Sequence, residues 1–160
     1  MKKDKVGVII GRFQPFHLGH SWLIKRSLEK FEKLIILIGS SNIKDENNLW
    51  NLKKRVEMLN EYIRHESLEK RIIKIDDIVD VPDDDKWLDI ALQKIGNNNF
   101  VVIGDNEWVN GIFEKAGYKV WRSGYFDRAR LQGVKIRKLM KIKKKWQDTV
   151  PEYLIELINK

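Results

Sequence analysis

Short apolar runs alternate along this chain with longer stretches in which apolar residues recur every three or four positions. The runs are VGVII (6–10), KLIILIGS (33–40), RIIKIDDI (71–78), FVVIGD (100–105) and YKVWR (118–122). The first, second and fourth read as buried strands, RIIKIDDI as a third strand and YKVWR as a short fifth, and short apolar strands in this order suit a sheet buried on both faces. The first helical stretch, 21–30, carries Trp22, Leu23, Ile24 and Leu28 on one broad face. The second, 52–65, repeats Leu52, Val56, Leu59, Tyr62 and Ile63 at helical steps. Stretches 87–95 and 109–116 follow, with Gly117 placed to cap the latter. Two further helices read over 136–146 and 151–159, the second opening on proline in its first turn. This βαβαβαβα order predicts an α/β fold: a Rossmann-like, doubly wound parallel sheet of about five strands, helices on both faces and a C-terminal helical segment over about 134–160. No linker and no repeat divides 1–160, so it reads as a single domain.

In such sheets ligands bind beyond the carboxyl ends of the strands. Three predicted strands reach glycine there, in IIGRFQ, ILIGSSN and VVIGDN. Glycine lets a ligand approach the backbone. One such glycine would be a turn; three at corresponding places point to a nucleotide cleft.

The first of these ends opens into GRFQPFHLGH (11–20), which holds two of the chain's three histidines. Pro15 restricts the backbone, and the next helix must begin between 17 and 21. The loop therefore delivers its residues to the positive end of a helix. His17 and His20 are three residues apart and share one side of a first helical turn. Gly19 between them removes a side chain that would block an incoming phosphate, and Arg12 adds a fork of donors. Phosphoryl-type chemistry needs charge neutralisation and alignment more than it needs a protein nucleophile. On the residues alone two other readings stay open: a helix cap with a packed ring, or part of a metal site that lacks a third ligand at matching spacing. There is no Walker lysine pattern and no GxGxxG, which weighs against P-loop and dinucleotide-oxidoreductase readings.

Composition narrows the partners. The formal net charge of +8 favours anionic ligands: nucleotides, nucleic acid or acidic lipid. KIKKKW (141–146) concentrates part of it, as a solvated helix face or as a phosphate- or RNA-facing patch. The absence of cysteine excludes disulfides and thiolate chemistry and fits a cytoplasmic protein. No apolar run approaches the roughly 20 residues of a membrane span. The start, MKKDKVGVIIG, is basic then apolar but lacks the cleavage site of a secretory signal.

GRFQPFHLGH resembles the HxGH loop of the nucleotidylyltransferase superfamily, and nearly the whole chain resembles the archaeal-type nicotinamide-nucleotide adenylyltransferases. ILIGSSN is similar to that family's second strand end. NNLWNLKKRVEML is similar to its asparagine–aromatic–arginine helix start, with Arg55 in the place of the family arginine. DDDKWLDIAL resembles the segment carrying the nicotinamide-stacking tryptophan, here Trp87. VVIGDNEWVNGIFEKAGYKV is similar to the fourth strand and its helix, LQGVKIRKLM to the family's SGTEIRRRM, and KWQDTVPEYLIELI to its closing helix.

The resemblance implies an enzyme that joins ATP and nicotinamide mononucleotide to give NAD and pyrophosphate. Mg2+ would come with ATP, and the mononucleotide phosphate would attack the ATP α-phosphate directly. His17 and His20 would contact the ATP phosphates, while Arg12 and Arg137 would clamp the triphosphate from two sides. The ATP site would also take Gly11, Phe13, Gln14, Gly19, Gly39, Ser40, Arg55, Gly104, Asp105, Asn106 and Gly133. The mononucleotide would meet Trp87 by ring stacking, and Asp77 and Asp84 at its amide or sugar. Without the resemblance, Trp87 reads as core packing of its helix. The resemblance also implies a homo-oligomer, since members are commonly hexameric, and no nucleic-acid partner.

The chain departs from the family pattern in places. Gln132, Gly133, Val134 and Lys135 stand for Ser-Gly-Thr-Glu. Val134 can neither cap a helix nor donate to a phosphate, and Lys135 exchanges an acid for a base. Lys53 and Lys54 stand for Gly-Glu, and the acidic stretch 83–85 sits in a slightly longer segment. Two alternatives are therefore carried: the same chemistry on another phosphorylated acceptor or with CTP, and a non-catalytic RNA- or nucleotide-binding protein using the basic C-terminal helix.

Overall fold

In a computed structural model, which describes residues 4–160, five strands and six helices alternate along the chain. They are β1 (Asp4–Gly11), α1 (Leu18–Lys30), β2 (Phe31–Ile38), α2 (Leu52–His65), β3 (Ile72–Asp77), α3 (Asp84–Ile95), β4 (Phe100–Ile103), α4 (Glu107–Lys115), β5 (Val120–Trp121) and α5 (Gly133–Lys141). Two single 3-10 turns, Gln147–Thr149 and Glu152–Leu154, lead into α6 (Ile155–Asn159).

The strands form one sheet in the order β3-β2-β1-β4-β5, and every pairing is parallel. Their side chains alternate between the two faces. Ile9, Leu34, Ile36 and Ile38 pack with Ile24 and Leu28 of α1, with Met58, Leu59 and Tyr62 of α2, and with Ile136 and Leu154 of the C-terminal segment. Val6, Val8, Ile35, Leu37 and Val102 face the other way, onto Trp87, Ala91 and Ile95 of α3 and Val109, Ile112 and Phe113 of α4. The sheet is thus doubly wound, as the run pattern predicts. The winding reverses between β1 and β4, so their carboxyl ends leave a crevice at the switch point.

Several boundaries move, each for a local reason. α1 starts at Leu18 rather than at 21 because His17 caps it. α3 and α4 start earlier than predicted because Asp83 and Asn106 cap them. β5 shrinks to two residues at the sheet edge. Gly117 follows α4 with φ of 88°, a left-handed closure that suits glycine, as expected. The larger correction lies near the end. The helix predicted over 136–146 runs instead over Gly133–Lys141, and Lys143 turns left-handed with φ of 57°. Residues 142–145 of KIKKKW are therefore an exposed, non-helical stretch rather than a charged helix face, and Trp146 packs into the core. The stretch 151–159 also opens as a 3-10 turn before it becomes helical. Among the described residues no helix is long and apolar enough to cross a membrane.

Candidate active site

The crevice at the switch point is a cavity of about 300 Å³. Gly11 and Arg12 follow β1 into it, and Gly104, Asp105 and Asn106 follow β4. Phe13, His17, Gly19 and His20 line it from the loop and first turn of α1. Gly104 has φ of 142°, open to glycine and strained for other residues, and its carbonyl is held by buried Asn110 at 3.0 Å.

The two histidines form a reciprocal cap on α1. His17 Nδ1 accepts from the Gly19 N–H at 3.0 Å, and His20 Nδ1 accepts from the His17 N–H at 3.1 Å. The rings stack with centroids 3.8 Å apart and 26° between their planes. Phe13 and Phe16 back His20 at 4.6 and 5.5 Å. Because each Nδ1 is an acceptor, each neutral ring carries its proton on Nε2. Burial, and then the charge of Arg128, push the His17 pKa down to about 4. Burial, and then His17 itself, push His20 well below the ordinary histidine range. Near neutral pH the site therefore offers two fixed, uncharged Nε2–H donors. The helix-cap reading holds on Nδ1 of each ring, and the cap leaves Nε2 of each uncommitted.

Three guanidinium groups gather behind this pair. Arg12 is exposed at the cavity. Arg137 is 7% exposed and donates from Nη1 to the Gln14 carbonyl at 2.7 Å. Arg55 is wholly buried and donates to the carbonyls of Arg12 at 3.0 Å and Gly39 at 2.8 Å. Its expected place in the ATP site is corrected: at 0% exposure it reaches no ligand and holds backbone instead. Among the described residues none of the three makes an ion pair. Carbonyl oxygens satisfy the two buried groups without cancelling their charge, and the cavity stays positive.

Other expected contacts fall elsewhere. The Gln14 side chain is locked to the backbone of Trp50 by two bonds of 2.9 Å, so it braces the loop and does not line the cavity. Gly39 packs against the Gly11 carbonyl, and the Ser40 hydroxyl donates to Asp80 at 2.8 Å, both outside the cavity. Gly19, which lines the cavity, is also required by packing: a Cβ there would lie 2.7 Å from the His17 ring. Gly133 is required because a Cβ would lie 2.8 Å from Arg137 Nη1 and 3.2 Å from the Gln14 carbonyl. Asp105 accepts from the Gly124 N–H at 3.0 Å, and Asn106 caps α4, so both support the wall they line.

The acceptor residues are the clearest departure. Trp87 is 2% exposed and packs in the core between Trp108 and Phe113, at 5.1 and 6.0 Å between centroids. Its spacing with Ala91 and Ile95 is the core stripe of α3. Asp77 is held by Ser41 at 2.6 Å and Lys94 at 3.2 Å, which keeps its carboxyl below the usual range. Asp84 is exposed in a separate groove with Leu88 and Trp108. None of the three borders the cavity.

Sequence reasoning misses one whole wall. Ser123, Gly124, Tyr125, Phe126, Arg128 and Leu131, between β5 and α5, close the crevice from the outside. Phe126 stacks on Trp22 at 6.1 Å, tying this wall to α1. The one signal for it is the pair of aromatics and pair of arginines in YFDRAR, just before the LQGVKIRK motif.

Residues 8–149 match the cytidylyltransferase-like family. The chain is 34% identical over 156 residues to a nicotinamide-nucleotide adenylyltransferase of Saccharolobus solfataricus, covering 94% of this chain and 90% of the relative. It is 30% identical over 154 residues to one of Haloarcula marismortui, covering 96% and 80%. Its fold superposes with a TM-score of 0.80 on a bifunctional NMN adenylyltransferase/ADP ribose pyrophosphatase from Francisella tularensis, at 21% identity. That alignment covers 92% of this chain and 45% of the other, so this chain spans less than half of the bifunctional one. The chain belongs to the cytidylyltransferase-like family, among relatives of its own length that are archaeal nicotinamide-nucleotide adenylyltransferases.

Proposed function

We propose that this chain is a nicotinamide-nucleotide adenylyltransferase, converting ATP and nicotinamide mononucleotide to NAD and pyrophosphate. The observation that carries the reading is the pair of neutral Nε2–H donors fixed beside Arg12 at the switch point. The names of the archaeal relatives support the choice of acceptor.

In the reaction, an oxygen of the mononucleotide phosphate forms a bond to the α-phosphorus of ATP. The bond from that phosphorus to its bridging oxygen breaks, and pyrophosphate leaves with the electron pair. No protein nucleophile enters this balance. His17 and His20 donate to phosphate oxygens as negative charge shifts onto the leaving group. They are held by their caps before substrate arrives, so no reorganisation is needed. One donor of this kind contributes about 3–4 kcal/mol of transition-state stabilisation. Arg12 contacts the polyphosphate directly. Arg137 adds charge from below and keeps the Gln14 carbonyl in place.

Among the described residues no three His, Asp or Glu side chains stand together to hold a metal. Mg2+ would arrive with ATP, and when bound to its phosphates it would shield the charge of the triphosphate. A homo-oligomer is proposed on the family resemblance alone and is tested by the mass of the protein in solution.

A coupled pyrophosphate-release assay tests the function, with ATP or CTP against a panel of phosphorylated acceptors. The expected result is turnover with ATP and nicotinamide mononucleotide and formation of NAD. Preference for another acceptor, for CTP, or no turnover at all overturns it.

A further inference from the structure

We propose that Arg128 is a further substrate-binding residue of this site, contacting the polyphosphate of ATP from the wall between β5 and α5. The inference rests on the functional reading above and deepens it.

Arg128 lines the same cavity as His17 and His20 but comes from a different part of the chain. Its charge acts on His17 strongly enough to be the second cause of that ring's depressed pKa. Its side chain makes no hydrogen bond and no ion pair among the described residues. The arginines around it contrast with this. Arg122 pairs with Glu107 and Glu114, and Arg130 pairs with Asp127 at 2.9 Å and Asp148 at 3.3 Å. In a segment where carboxylates are at hand, the guanidinium that faces the cavity is the one left unpaired.

It is nevertheless held. Its central carbon lies 4.2 Å from the centroid of the Tyr125 ring. Stacking on an aromatic face orients the guanidinium plane while leaving its N–H groups available. Tyr125 is 55% exposed, so the pair stands at the mouth and not in the core. A planar fork with free donors beside two Nε2–H groups suits phosphate oxygens. A neutral base or sugar would give this charge nothing to pair with.

Equilibrium binding of ATP and of AMP to the full chain and to three variants tests this. Arg128→Ala is expected to weaken ATP at least about tenfold while AMP changes less than about twofold, since the lost contact is to the outer phosphates. Arg128→Lys is expected to fall between, keeping the charge and losing the fork. Arg130→Ala, which removes a tied arginine outside the cavity, is expected to leave both ligands unchanged. Equal weakening of ATP and AMP by Arg128→Ala would assign the residue to the wall and overturn the proposal, as would no weakening of either. Wild-type protein that fails to bind ATP would overturn the functional reading and this inference with it.

Discussion

Arg55 donates from Nη1 to the carbonyl of Arg12 across 43 residues of sequence, at 3.0 Å. The same nitrogen reaches the Gly39 carbonyl at 2.8 Å. One buried cation therefore stitches the end of β1 to the end of β2, at the residue whose side chain enters the cavity.

Arg55→Met is expected to lower stability by at least about 3 kcal/mol, because it leaves buried carbonyls unpaired. Arg55→Lys is expected to recover only part of it, since an ammonium can replace Nη1 at the Arg12 and Gly39 carbonyls but not also Nε and Nη2, which reach the carbonyls of Asn51 at 3.4 Å and Ser40 at 3.5 Å. Urea unfolding checks both; a wild-type midpoint for Arg55→Lys contradicts the stitching role of the fork.

The two duties of His17 are separable. Serine is a good N-cap but has no Nε2–H to offer. His17→Ser is expected to keep stability within about 1 kcal/mol and to lose at least about a hundredfold in kcat. Near-normal turnover in this variant would remove His17 from the chemistry.

The same ring sets a pH dependence. Its folded pKa of about 4 lies below the ordinary 6.5. The unfolded chain thus binds the proton more readily, and stability rises with pH across that window. The contribution is complete above about pH 6.5 and is lost as pH falls toward 4, by up to about 3 kcal/mol. Unfolding measured from pH 4 to pH 7.5 should show this slope in the wild type and a shallower one in His17→Ser. Equal slopes would mean that the ring is not held neutral.

Trp87 is a core residue, so removing its ring should act on stability and not on the acceptor. Trp87→Ala is expected to cost about 3–5 kcal/mol. Trp87→Leu is expected to leave the KM for nicotinamide mononucleotide within about twofold, where loss of a cation–π stack would raise it up to about thirtyfold. A large rise would return the ring to the acceptor site.

How much of the structure is legible in the sequence follows from how local each cause is. The strands are readable because burial on both faces removes polar residues from 6–10 and 34–38. The histidine loop is readable because its caps and donors lie within four residues. Arg55 misleads as a ligand although its position, between Leu52 and Leu59 on the apolar stripe of α2, marks a buried arginine. Trp87 misleads in the same way although Ala91 and Ile95 share its stripe. The end of α5 is not readable because neither glycine nor proline stands there; the break falls on Lys143. The wall around Arg128 has no period to detect, and only the return of β5 to the sheet edge brings it to His17.

The bracing of the loop also bears on when the enzyme can first work. Gln14 is held from 123 residues downstream by Arg137, and Trp50, which grips the Gln14 side chain, donates to the carbonyl of Ile158 at 3.1 Å. On the ribosome all five strands emerge before either of these late partners. A nascent chain can thus assemble its sheet while the histidine loop still lacks its braces, and catalytic competence waits until α5 and α6 have cleared the exit tunnel.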